Sequence, residues 1–172
     1  MKKIALIGTH GVRKTTHAYG IAHKLKELGY NADILKEIAK ECPLPINEKT
    51  TEDAQRWILY TQMAKEIEAA RNNPGYLICD RASIDNYAYY VAAFGNNKIL
   101  DGVVEEHIKT YDTLFRVPTL SSKIDADGIR STDPKFQKRL DEIVLALLKD
   151  FKITAYTFKD IDNAMEIIRK GF

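Results

Sequence analysis

Only two cysteines occur in the 172 residues, Cys42 and Cys79. Their separation fits neither C-x-x-C nor metal-ligand spacing, which excludes a disulfide framework and a zinc knuckle and leaves two reduced thiols. No charge of one sign dominates. Lys and Arg number 26 against 24 Asp and Glu, a net charge of +2, so no broad basic surface tracks a polyanion and nucleic acid is not an expected partner. No stretch approaches the roughly 20 apolar residues of a membrane span, and the apolar run in MKKIALIG is too short for a secretory signal. The expected location is the cytoplasm, with no membrane partner. Histidine is scarce too: His17 and His23 lie six apart on one predicted helix, on different faces, and with His10 and His107 they form no metal cluster.

What is present is ordinary globular composition, 45% hydrophobic and 29% charged. The length suits one domain over 1–172, since domains commonly hold about 100 to 200 residues. The first apolar run, KIALI at 3–7, is continuous, as a strand covered on both faces is. After a glycine loop, Ala18, Ile21, Ala22, Leu25 and Leu28 recur at helical spacing up to Gly29. NADILK at 31–36 predicts a short strand ending at Glu37. A long helix follows from Thr50 or Thr51 to about Arg71, with Ala54, Trp57, Tyr60, Ala64 and Ile67 as its inward stripe. YLIC, 76–79, predicts a strand ending at Asp80, and 83–94 a helix stopped by Gly95. Beyond these the pattern predicts a helix near 102–110, a strand at 113–117, a helix carrying Phe136, Leu140, Ile143, Val144, Leu147 and Leu148, a strand at 152–158, and a terminal helix with Ile161, Ala164 and Ile168 inward.

Five strands alternating with helices predict an α/β fold with a doubly wound, five-stranded parallel sheet, whose ligands bind at the carboxyl ends of the strands. The one long polar connection, 118–134, exceeds the usual loop length and reads as a functional lid, placed at about 118–139.

GTHGVRKTT, residues 8–16, lies between the first strand and the first helix. It matches the phosphate-loop pattern G-x-x-x-x-G-K-[ST] except that Arg13 stands in the slot of the second glycine. Successive backbone N–H groups in such a turn, at the positive end of a helix, cradle phosphate oxygens. The expected nucleotide site is therefore Gly8, Thr9, His10, Gly11, Val12, Arg13, Lys14, Thr15 and Thr16, and the expected cofactors are ATP and Mg²⁺. Lys14 would reach the β- and γ-phosphates and Thr15 would ligate the metal through its hydroxyl. Asp80 ends an apolar strand after this loop, the position from which a carboxylate orients Mg²⁺ or its waters, so Thr15 and Asp80 are the expected metal residues. Arg13 brings a Cβ where glycine lets the backbone lie against phosphate. Its guanidinium either swings outward, weakening binding by distorting the loop, or folds over the triphosphate, strengthening binding while misplacing the γ-phosphate.

Together these segments resemble the P-loop nucleoside and nucleotide kinases, which include thymidylate kinases, deoxynucleoside kinases and the nicotinamide riboside kinase domain. The resemblance rests on GTHGVRKTT, on Glu37 in LKEIAKE, on DRASIDNYAYY from Asp80 and on DADGIRSTDPKFQKRL, and runs over nearly the whole chain. It implies that Asp80 and Arg81 lie beside the phosphoryl acceptor and that lid arginines, Arg130 and Arg139, cover the transferring phosphate. Either Glu37 or Asp80 is then the base or orienter for the acceptor hydroxyl, and Arg81 binds the acceptor or its phosphate. Such charges suit the chemistry, because phosphoryl transfer is mostly positioning and charge neutralisation. Related kinases also set a glutamine-bearing helix against the acceptor base. Gln55 and Gln62, on a face with Leu59 and Glu66, either read that base through amide hydrogen bonds or are simply solvated. Lys135 and Lys138 read as surface charges.

The chain departs from the thymidylate-type pattern: Ala82 follows the Asp-Arg pair where those enzymes carry an aromatic residue, and Asp85 takes the later serine position. The implied activity is ATP-dependent phosphoryl transfer to a nucleoside, nucleotide or related riboside, in a chain that such enzymes' habits allow to form a homodimer. A P-loop ATPase switch without a small-molecule acceptor is the second reading, GTP being disfavoured by the absence of N-K-x-D. A nucleotide-binding protein without catalysis is the third, and Arg13 favours it.

Overall fold

Successive side chains of the first strand go to opposite sides of one sheet, and this alternation organises the molecule. In the computed structural model, which describes residues 1–46, 49–119 and 133–171, β1 (Lys2–Ile7) sends Ile4 and Leu6 into one core and Ala5 and Ile7 into another. Both faces being dry, the strand is apolar from Ile4 to Ile7 rather than alternating. β1 is flanked by β3 (Tyr76–Asp80) and β4 (Thr113–Arg116), with β2 (Ala32–Leu35) and β5 (Tyr156–Thr157) outermost, in the order β2-β3-β1-β4-β5. Every pairing is parallel.

Helices cover both faces. α1 (Lys14–Glu27) and α6 (Ile161–Lys170) close the side of Ile4 and Leu6. α2 (Glu52–Ala70), α3 (Ser83–Phe94), α4 (Lys98–Ile108) and α5 (Pro134–Asp150) carry the core on the other side, around Leu59, Tyr87, Val104 and Leu147. The doubly wound five-stranded parallel sheet expected from the sequence is the observed fold. The strand order turns about β1, so the crevice at its carboxyl end is where a doubly wound sheet receives a ligand.

Helix starts show how local chemistry prepares that crevice. α2, α4, α5 and α6 are capped by the side chains of Thr51, Asn97, Asp133 and Asp160, which accept backbone N–H groups of the first turn. α1 has no side-chain cap and no acidic residue in its first turn. Its N–H groups and the positive end of its dipole are left for a ligand.

Four expectations are corrected. The inward face of α2 is Ala54, Gln55, Ile58, Leu59, Gln62 and Glu66; of the expected apolar stripe only Ala54 is fully buried, while Trp57 is half-buried, Ala64 is exposed, and Tyr60 and Ile67 are 47% and 71% exposed. Polar partners inside the protein outweigh hydrophobic pattern here. Leu28, expected inward, is exposed because α1 ends at Glu27 and the chain turns away. The last strand is two residues rather than seven, since it pairs only with β4 at Phe115 and Arg116. α4 begins at Lys98, earlier than expected, because the Asn97 side chain accepts from the N–H groups of Ile99 and Leu100.

Candidate active site

The glycine loop leaves β1 at Gly8, whose φ is +134° and where an added Cβ would lie 2.7 Å from the Val117 carbonyl oxygen. Only glycine fits that close approach. Gly11 also has positive φ, 76°. Arg13 sits at φ 63°, ψ 26°, the left-handed conformation that its slot would give a glycine, with its side chain exposed. Arginine in this left-handed conformation carries strain of roughly 1–2 kcal/mol for an L-residue. Arg13→Gly is therefore expected to stabilise the chain by about 1 kcal/mol, after allowance for glycine's freer unfolded state, as measured by denaturant unfolding.

Lys14 is 5% exposed. Its ammonium donates to the Gly8 carbonyl at 2.8 Å and to the Thr9 carbonyl. Burial and the positive charge of Arg81 pull its pKa down to about 7, against the pull of Asp85, Asp80 and Glu37. These five charges form one buried cluster. Asp85 is buried in it, accepting from Gly8 N at 2.7 Å and Ala82 N at 3.0 Å. One carboxylate thus ties the start of the loop to the start of α3. Burial raises the Asp85 pKa, opposed by Lys14 and Arg81.

Thr15 and Asp80 come together from different elements. The pairing of Leu6 with Asp80 in the β1–β3 ladder brings the end of β3 beside the loop, and the Thr15 hydroxyl donates to Asp80 Oδ2 at 2.5 Å. Two adjacent hard oxygens, one of them a carboxylate, fit Mg²⁺, which keeps most of its waters and takes one or two protein ligands. Among the described residues no group of three or more His, Cys, Asp or Glu forms a metal cage.

On the other side of Asp80 lies an ion pair that the sequence placed only at strand ends. Arg81 Nε donates to Glu37 Oε1 at 2.7 Å, with the two side chains 5% and 9% exposed. Lys40 Nζ is 4.0 Å from the second Glu37 oxygen. The guanidinium lies 5.3 Å over the Tyr89 ring, and its Nη1 is buried with no hydrogen-bond partner among the described residues. Arg81 has φ 98°, a backbone conformation that persists only where surroundings enforce it. Gln55 and Gln62 are both buried, with Gln55 Nε2 on the Thr50 hydroxyl at 2.8 Å and Gln62 Nε2 on Glu66 Oε1 at 2.8 Å.

The loop is roofed by α3 and α5. His10, 2% exposed, places Nδ1 3.0 Å from the Tyr89 hydroxyl and stacks on Phe136 at 6.0 Å between centroids. Gln137 Nε2 donates to the His10 carbonyl at 2.8 Å. Thr9 and Val12 are buried and Thr16 is exposed. Arg139, on the first turns of α5, is exposed, as are Lys135 and Lys138. Arg130 lies outside the described residues, as does most of the segment read as a lid. Sequence reading named Asp85 only for its unusual slot and missed Tyr89 and Gln137; their contacts span 77, 79 and 127 positions, beyond any local pattern.

A phosphate-loop turn at the switch of a parallel sheet, with carboxylates at adjoining strand ends, defines a P-loop α/β fold. A family model described as "AAA domain" (AAA_28) matches residues 3–162, and the chain belongs to that family. No curated protein matches the sequence. Among solved structures, thymidylate kinase from Ehrlichia chaffeensis is similar at TM-score 0.70 and 17% identity, and deoxyadenosine kinase from M. mycoides at TM-score 0.61 and 20% identity. Each comparison covers 98% of this chain and 97% of the other. At these identities the likeness is one of fold. No helix among the described residues is long and apolar enough to cross a membrane.

Proposed function

We propose that this chain transfers the terminal phosphoryl group of ATP to a hydroxyl of a nucleoside, nucleotide or related riboside. The observation that carries the reading is the buried Glu37–Arg81 pair, set beside Lys14, Thr15 and Asp80 at the carboxyl end of the sheet. A switch that only hydrolyses ATP needs no second buried charge pair next to the phosphate cradle.

In this reading the α1 amides and Lys14 hold the triphosphate, and Lys14 offsets charge on the oxygens of the transferring group. Thr15 and Asp80 would hold Mg²⁺, which when bound would supply charge neutralisation to the phosphates. The Thr15–Asp80 contact supports Asp80 as the metal residue and leaves Glu37 as the base. Glu37 takes the acceptor hydroxyl proton as that oxygen bonds to the γ-phosphorus, and the bond to the bridging oxygen breaks to release ADP. Arg81, with Nη1 unspent, orients the acceptor or its phosphate. Gln55 and Gln62 remain proposed contacts for the acceptor base, and Arg130 and Arg139 for the transferring phosphate.

Arg13 favours a second reading, nucleotide binding without turnover. The Arg13 side chain is exposed, but its Cβ replaces the bare backbone on which phosphate would lie. Restoring glycine at 13 is expected to raise ATP affinity and turnover together, on the order of tenfold, the worth of one charge-assisted hydrogen bond regained. An acceptor screen decides between the readings. ATP turnover that rises with one nucleoside or nucleotide supports the kinase; turnover indifferent to all of them, in both the native chain and Arg13→Gly, overturns it.

A further inference from the structure

One buried charged network touches the site described so far only through Gln62. Glu66 on α2 is 2% exposed, and four side chains converge on its carboxylate. Lys3 Nζ donates to Oε2 at 2.7 Å and His107 Nε2 lies 3.4 Å from the same oxygen. The Tyr111 hydroxyl at 2.6 Å and Gln62 Nε2 at 2.8 Å both donate to Oε1. Ions this deep gain little stability over apolar residues of equal volume, because desolvation offsets their attraction. Their arrangement therefore calls for another account.

Two of the four groups extend to one place. The Tyr111 hydroxyl, its only hydrogen directed to Glu66, accepts from Ser83 N at 3.1 Å. Gln62 Nε2 also lies 3.4 Å from the Arg81 carbonyl oxygen. Both contacts grip the corner between β3 and α3, where Arg81 holds φ 98°. Asp85 holds the peptide between them through Ala82 N. A backbone in that region relaxes unless several contacts over-determine it, and relaxation would turn Arg81 away from Glu37.

We propose that Glu66 is a positioning residue for the acceptor side of the site. Acting through Tyr111 and Gln62, it clamps the 81–83 backbone in the conformation that aims the Arg81 guanidinium at Glu37. The inference rests on the proposed function for what Arg81 then binds, but not for the clamp itself. It gives Gln62 a second task besides any contact with a base.

Glu66 itself is a poor test, because its removal strands the buried Lys3 ammonium and threatens folding. Tyr111→Phe removes only the hydroxyl, and Gln62→Leu only the amide. In ¹⁵N-labelled protein, exchange of the Arg81 Nε–H with water reports its bond to Glu37 whether or not the chain turns over. Both variants should speed that exchange, on the order of tenfold, the effect of leaving a buried group without its partner. Ile168→Val, in the core on the opposite face of the sheet, should leave it unchanged. With an acceptor in hand, KM for the acceptor should rise similarly while KM for ATP stays, and Tyr111→Phe should add nothing in an Arg81→Lys background. Native exchange at Arg81 Nε in folded Tyr111→Phe and folded Gln62→Leu would overturn the proposal. If the clamp is seen but no acceptor raises turnover, only the kinase reading fails.

Discussion

Lys14→Ala is expected to cut phosphoryl transfer by on the order of 10²–10³, the loss seen when one preorganised donor to developing charge is removed. ATP affinity should fall with it. The fold should survive, because the Lys14 ammonium is held at a desolvation cost that offsets what its buried stem and its bonds to two loop carbonyls contribute. Comparing ATP titration with thermal unfolding of the same variant separates the two effects. A pH dependence follows from the same residue. Burial and Arg81 bring the free lysine's pKa down to about 7, and a bound polyphosphate favours the charged form, raising it. Binding should then take up roughly half a proton at pH 7, more toward pH 8 and almost none well below pH 6. Calorimetry in buffers of different ionisation enthalpy measures the uptake. Its persistence in Lys14→Ala would remove Lys14 as the source, and unchanged ATP affinity in that variant would remove the phosphate site itself.

Glu37→Gln should lower turnover by about 10²–10⁴, the usual share of a positioned general base, while leaving ATP affinity close to native. Its amide oxygen still accepts from Arg81, so most of the fold's stability should remain. Glu37→Ala is different: it leaves the Arg81 guanidinium buried without its carboxylate, a loss of about 3–5 kcal/mol for a broken buried pair. Glu37→Leu combined with Arg81→Leu should recover much of that stability and none of the turnover. Denaturant melts of these variants beside single-turnover rates with an accepted substrate distinguish a pair kept for chemistry from one kept for packing. Native turnover in Glu37→Gln would move the base elsewhere, with Asp80 the next candidate.

These expectations depend on features of different legibility. The phosphate loop could be read directly, because its chemistry demands glycine, lysine and threonine within eight adjacent positions, and a buried parallel strand must precede it. Alternating apolar runs and helical spacings likewise placed α1 and α3 and the strand ending at Asp80. The inward face of α2 was misread for a physical reason. Hydrophobic periodicity assumes that polar residues seek water, whereas Glu66 finds Lys3 and Tyr111 inside, and Gln62 finds Glu66.

The chain by itself determined the layers and the cradle, since both are written in neighbours along the backbone. Only tertiary structure decided that Arg81 meets Glu37 across 44 positions, that Thr15 meets Asp80 across 65, and that Arg13 takes the left-handed turn with its side chain exposed. Those contacts depend on strand order and register, which bring together side chains whose separation in sequence carries no trace of their distance in space.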